Sequence, residues 1–248
     1  MPATELLVPV RFNGPPESAN GGFMAGRVAS LFRYGDTVQV TLRRPPPLEV
    51  AMTVRESDGR VDVLMDGAVV AEAVRVDDAA EPVDAIDPDD AAAAMTRFAG
   101  LSTHPFPTCF VCGTERADGD GLGLWAGPIL AGDADGIGRL VATVFQPRSD
   151  IVQSVIGTGT AEIIGPEIIW AALDCTGGWA TLLPGRPAVL GRMTAIVDAM
   201  PSVGERCVVV GQLDRIDGRK SFTRSTAYGA DGRELGRAGA TWIELPAS

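Results

Sequence analysis

Two places in this 248-residue chain bring together residue types that could share one reaction: Asn20-Gly21-Gly22, at the head of an apolar run, and Asp174, inside another. Asn is a favoured helix N-cap. The free N–H groups of a helix start form a site for negative charge, such as the oxyanion of a tetrahedral intermediate. Glycine in a helix costs up to about 1 kcal/mol relative to alanine, so two in succession point to something approaching the backbone closely. The plainer reading is a cap followed by residues small enough to pack beneath a sheet. Asp174 follows Ile168-Ile169-Trp170-Ala171-Ala172-Leu173. Burial there would raise its pKa, which suits a general base, and a nucleophile is the related role. Its carboxyl could instead accept hydrogen bonds from backbone near Gly177-Gly178.

The helices that must carry these groups look like two copies of one segment. Laying Gly21 over Pro166 brings Phe23, Met24, Ala25, Gly26 and Val28 onto Ile168, Ile169, Trp170, Ala171 and Leu173, and Asp174 onto Ala29. One copy keeps a glycine mouth. The other keeps an acid, and its Pro166 has no N–H to offer. One complete site, divided between the copies, is therefore expected. A helix over about 20–34 precedes alternating runs at 38–42, 50–54, 61–65 and 70–76, broken by Asp58-Gly59 and Asp66-Gly67 hairpin signals. A second helix over about 166–182 precedes runs at 188–197, 206–215, 219–228 and 233–245, with Asp217-Gly218 and Asp231-Gly232 at two turns. The repeated order points to internal duplication.

These elements define an N-terminal unit over 1–76, an acidic, alanine-rich linker over 77–103 and a C-terminal unit over 104–248. Asp87-Pro88-Asp89-Asp90 could start a short helix in the linker. Residues 110–125 and 138–145 are expected to supply the leading strands of the second unit.

Composition excludes several classes of function. A formal net charge of -11, with no Lys/Arg run, argues against nucleic-acid binding. No apolar run approaches the roughly 20 residues that span a bilayer. Four cysteines in a chain this long are not a disulfide framework, and the expectation is a reduced, cytoplasmic protein. His104, Cys109 and Cys112 have spacing that could give three zinc ligands, but no second Cys pair or nearby His completes a set, so the site is expected to hold no metal and no cofactor. Cys175 and Cys207 read as core. Gly157-Thr158-Gly159 lacks the strand and helix context of a dinucleotide loop. Glu167 sits where an acid complements a helix dipole, with a place in the site as the alternative. Arg148, Arg186 and Arg192 are solvated charges or phosphate contacts.

Phe12-Asn13-Gly14-Pro15 with Ser18-Ala19-Asn20-Gly21-Gly22 resembles the N-terminal half of double-hotdog acyl-CoA thioesterases. Cys109-Phe110-Val111-Cys112-Gly113, followed by Gly121-Leu122-Gly123-Leu124, resembles the leader before the hotdog helix in single-domain thioesterases of the phenylacetate-pathway type. The resemblance covers nearly the whole chain. It implies an α+β fold of tandem hotdog domains, each a long helix wrapped by a curved antiparallel sheet, packed as an intramolecular pseudo-dimer. It also implies a substrate, acyl-CoA or a related thioester, bound between the halves. Gly21 and Gly22 would polarise the carbonyl, with Asn20 and Glu167 beside it, and Asp174 would direct water. The thioesterase II type pairs its acid with a threonine and a glutamine on the sheet, which makes Thr176 and Thr194 candidates for a water-positioning hydroxyl, although no matching glutamine is evident. Hydratases on this fold resemble enzymes with an Asp and His pair, and the only histidine, His104, lies in the linker region. The alternatives are an acyl-CoA or small hydrophobic ligand-binding protein without turnover and an assembly module without ligand. A homo-oligomer of double-hotdog subunits is compatible with all three.

Overall fold

The computed structural model describes residues 4–151, 164–181 and 187–246. The N-terminal half begins with a short strand β1 (Thr4–Leu6) and helix α1 (Gly21–Ala29), followed by four strands: β2 (Val38–Leu42), β3 (Met52–Ser57), β4 (Arg60–Met65) and β5 (Ala68–Arg75). Helix α2 (Pro88–Met95) bridges to β6 (Gly127–Leu130) and β7 (Leu140–Phe145). Helix α3 (Pro166–Thr181) is again followed by four strands: β8 (Ala188–Val197), β9 (Cys207–Asp217), β10 (Lys220–Tyr228) and β11 (Glu234–Glu244).

All eleven strands join one antiparallel sheet in the order β1-β3-β4-β5-β2-β8-β11-β10-β9-β7-β6. Reading outward from the central β2–β8 pair, each half runs through its fourth, third and second strand after the helix. The seam has Val38 opposite Ala195 and Thr41 opposite Arg192. Local chemistry explains the hairpins: Asp58-Gly59 and Asp66-Gly67 all have positive φ, the turn that matches strand twist.

The two helices lie antiparallel on the inner face. Gly22 faces Trp170, Ala171 and Asp174, and Gly26, one turn on, faces Glu167 and Trp170. A Cβ on Gly22 would overlap that of Asp174, so glycine is what lets α1 reach α3. Helix α3 is buried along almost its whole length, Glu167 and Asp174 included. This explains its nearly uniform apolarity.

Two expectations change. Helix α1 ends at Ala29, with Ser30 closing it through bonds to Gly26 and Val28 carbonyls, well short of Tyr34. Residues 110–125 are no strand. They fold back as turns, with Leu122 N–H on the Phe110 carbonyl and Leu124 N–H on that of Val111, and the first strand of this half is β6. Phe110 caps a ring cluster in which Phe12 and Phe23 stack at 4.0 Å and Phe110 meets Phe12 edge-on at 4.8 Å. Such pairs add about 0.5–1.5 kcal/mol beyond burial, enough to hold a glycine-rich segment on α1. Between β5 and β6, α2 starts as expected, with Asp87 accepting from Asp89 N–H and Pro88 in the first turn. It packs its buried Ala94 against Gly127 of β6.

Candidate active site

A cavity of about 590 Å³ opens where the mouth of α1, the leader turn around Cys109 and strands β2, β8 and β11 meet. Its walls are mainly apolar, with Phe106, Trp179, Leu190 and Trp242 among them, and Asn20, Gly21 and Asp174 also line it.

The first-turn N–H groups of α1 can be accounted for one by one. Phe23 N–H goes to the Asn20 side-chain oxygen at 2.8 Å, and Met24 N–H to the Asn20 carbonyl at 3.0 Å. Gly22 N–H donates to Asp174 Oδ2 at 2.8 Å. Gly21 N–H has no acceptor among the described residues, and Gly21 lines the cavity. The two glycines thus have different tasks. Gly22 allows the helix contact and holds the carboxylate, while Gly21 keeps a donor free.

Asp174 is only 2% exposed. Burial pushes its pKa up to about 7, against the opposing pull of the Gly22 N–H. Its second oxygen, Oδ1, is buried with no hydrogen-bond partner among the described residues. Such an unpartnered oxygen is costly to stability, and because it has almost no accessible surface a water reaches it only when the groups closing over it shift.

Asn20 joins this pair to a group of thiols. While its oxygen caps α1, its Nδ2 points at Cys175 Sγ at 3.4 Å and Cys109 Sγ at 3.9 Å. Cys109 and Cys175 sulphurs are 3.8 Å apart, and the Cys112 sulphur completes a buried group. Thiol donors on Cys112 and Cys175 and the N–H groups of Val111 and Cys112 favour a thiolate at Cys109, whose acidity rises accordingly. Cys175 gives no signal in the sequence because it sits in an apolar helix. Its place next to Asp174, on the helix that meets the partner mouth, was the available clue.

The other expected site residues are dispersed. Glu167 is buried against Gly26 and Gly165 near the far end of the helix contact, away from the cavity. Thr176 is buried with Oγ1 unpartnered among the described residues, and its carbonyl faces Gly211 of β9. Thr194 lies on the outer side of the sheet, accepting from Gln39 Nε2 at 3.1 Å. That pairing removes it from Asp174's surroundings. His104 lines the cavity but is not presented as a ligand: Nδ1 accepts from Phe106 N–H at 3.0 Å and Nε2 faces the Cys112 carbonyl at 3.1 Å. Burial lowers its pKa and favours this neutral form.

Arg148 donates to the Gly119 and Gly121 carbonyls and Arg192 to Thr41, so neither serves the cavity. Arg43 and Arg44 line it instead, Arg43 paired with Glu72. Gly157, Thr158, Gly159 and Arg186 lie outside the described residues.

No protein-family model matches this chain, and no curated protein does. Solved structures do. A conserved protein with a hotdog fold from Alicyclobacillus acidocaldarius is similar at a TM-score of 0.60 and 13% identity, over 98% of this chain and 93% of that one. The tesB protein of Mycobacterium avium subspecies paratuberculosis gives 0.55 and 12%, over 92% and 88%. An acyl-CoA thioesterase II from Mycobacterium marinum gives 0.53 and 10%, over 92% and 91%. These likenesses show that the chain has the α+β hotdog fold.

Proposed function

We propose that this protein is an acyl-CoA thioesterase-like hydrolase with one composite site, built from the mouth of α1 and from Asp174 of α3. Two hotdog units, 1–76 and 104–248, joined by the linker 77–103, form an intramolecular pseudo-dimer in this reading. The observation that carries it is that Gly21, whose N–H has no acceptor among the described residues, and Asp174, whose Oδ1 has no partner among them, line one cavity. The mirror counterpart has Pro166, without an N–H, opposite Ala29, without a carboxylate, so the chemistry is confined to one side. Acyl-CoA is the substrate named for the Mycobacterium marinum protein of the same fold. It also suits an apolar cavity with two arginines among its lining residues. Four free cysteines fit a reducing, cytoplasmic setting.

The thioester carbonyl oxygen would lie against Gly21 N–H, and Asp174 Oδ1, uncovered by a small shift of the groups that close over it, would hold a water. The water oxygen attacks the carbonyl carbon as its proton passes to Asp174. The helix mouth stabilises the resulting oxyanion. Collapse of the intermediate breaks the C–S bond, the proton on Asp174 goes to the leaving sulphur, and the carboxylate is restored. Gly22 N–H would hold Asp174 in place throughout, the role of a positioning group.

Incubation with a panel of acyl and aryl thioesters of coenzyme A, with detection of the released thiol, tests this. Turnover by the natural chain and its loss in Asp174→Ala are expected. Unchanged hydrolysis in Asp174→Ala would sink the mechanism. Saturable binding without thiol release would favour the non-catalytic binding reading, which the wholly engaged Gly22 N–H makes the natural second choice.

A further inference from the structure

We propose that Cys109, Cys112 and Cys175 form a trithiolate site for one thiophilic divalent ion of the zinc class, with its fourth side open to the cavity. This goes beyond hydrolysis and does not depend on it.

Zinc–sulphur bonds of about 2.3 Å at tetrahedral angles place sulphurs about 3.8 Å apart. Cys109 and Cys175 sulphurs are 3.8 Å apart, and all three sulphurs lie within 4.8 Å of one another. Small adjustments would bring them to a common ion. The chain supplies them as a metal site requires: a Cys-x-x-Cys-Gly turn gives two, and a rigid buried helix gives the third. Gly113 N–H closes the turn on the Cys109 carbonyl at 2.9 Å, and a side chain at Gly113 would strike the Cys109 and Pro107 carbonyls.

A supporting shell is also present. Asn20 Nδ2 is directed at two of the sulphurs, a use of an amide donor that cysteines packed only as small apolar groups would not need. His104 is directed at the Cys112 carbonyl, which steadies the turn from behind. The zinc set drawn from sequence spacing, His104 with Cys109 and Cys112, thus exchanges its histidine for a cysteine more than sixty residues away. All three cysteines line the cavity, which provides an entry path and a place for a water as fourth ligand. Binding would release the thiol protons to solvent and form three metal–sulphur bonds, with no change of oxidation state. The ion would pin the leader turn to α3 beside the α1 mouth.

The test uses the full-length reduced protein, stripped with chelator and titrated with Co(II) and then Zn(II). A thiolate-to-cobalt charge-transfer band saturating at one equivalent per chain, and its displacement by zinc, are expected. Cys112→Ser and Cys175→Ser should each weaken binding at least tenfold, and Cys207→Ser should leave it unchanged. Should either serine variant fail to fold, zinc-dependent protection from alkylation in the natural chain, mapped by mass spectrometry, should fall on Cys109, Cys112 and Cys175. The proposal is overturned if the reduced natural chain shows no thiolate band with excess cobalt, or if zinc protects none of these three. Thiol release from thioesters is a separate readout, so either idea can fail alone.

Discussion

Replacing Asp174 with asparagine should abolish turnover and yet stabilise the protein increasingly as pH rises. The carboxyl is buried and its pKa moves from 3.8 to about 7. A shift of about 3 units at 1.36 kcal/mol each is about 4 kcal/mol of stability withheld from the folded state once the group is ionised. The sign follows from proton binding. Between the unfolded and folded pKa values the native chain holds more protons at this site than the unfolded chain does. The Asp174 contribution to stability is therefore full below about pH 4, falls as pH rises, and levels off above about 7. Asparagine has no such titration. Its carbonyl can keep the Gly22 bond, while its amide leaves an unpaired donor where Oδ1 was, at a cost of about 1–3 kcal/mol that does not vary with pH. That constant cancels when the two chains are compared at two pH values. Urea unfolding of both, reduced and metal-free, should show the stability difference moving in favour of Asp174→Asn by roughly 2.5 kcal/mol between pH 5 and pH 8. A difference that stays flat would refute the buried, proton-holding carboxyl.

Gly21→Pro should remove the free N–H at the α1 mouth: proline is accepted in a first helical turn and Asn20, at φ -58 and ψ 131, already has the backbone a following proline prefers, while the new Cβ would crowd that of Leu190 at 2.9 Å, so Gly21→Ala, which makes the same contact and keeps the N–H, is the control. Steady-state kinetics should show kcat down by about 10²–10³, the cost of losing one oxyanion donor, and unaltered kcat would remove Gly21 from the mechanism. Gly22→Ala should drive α1 from α3, since its methyl would overlap Asp174 and come 2.6 Å from the Trp170 carbonyl. Overpacking of this kind costs about 1–3 kcal/mol, visible as a Tm lower by several degrees. Phe110→Ala should cost about 3–5 kcal/mol by denaturant unfolding, and a negligible loss would mean the leader turn is not anchored through its ring.

What the sequence disclosed was what neighbours in the chain decide. Asp58-Gly59 and Asp66-Gly67 turn where expected because positive φ is a local demand. Asp87-Pro88 opens α2 for the same kind of reason. The burial of Asp174 could be read from the apolar residues before it. Facts set by distant residues could not be read in this way. The engagement of Gly22 N–H depends on a carboxylate 152 positions away. Cys175 acquires meaning only when the leader turn folds over it. Thr194 alternates correctly along β8, but alternation does not say which face meets the helices, and its side chain went outward to Gln39. The segment 110–125 carries hydrophobic residues at strand-like spacing, and its glycines let it fold back on the ring cluster instead.

The central claim is that a thioester lies between Gly21 and Asp174. A crystal structure of the complex with an acyl-CoA analogue, its sulphur replaced by methylene and its carbonyl retained, tests this most directly. The account predicts the carbonyl oxygen about 3 Å from Gly21 N, with a water between the carbonyl carbon and Asp174 Oδ1. An acyl group seated elsewhere, or a carbonyl turned away from the α1 mouth, would contradict it.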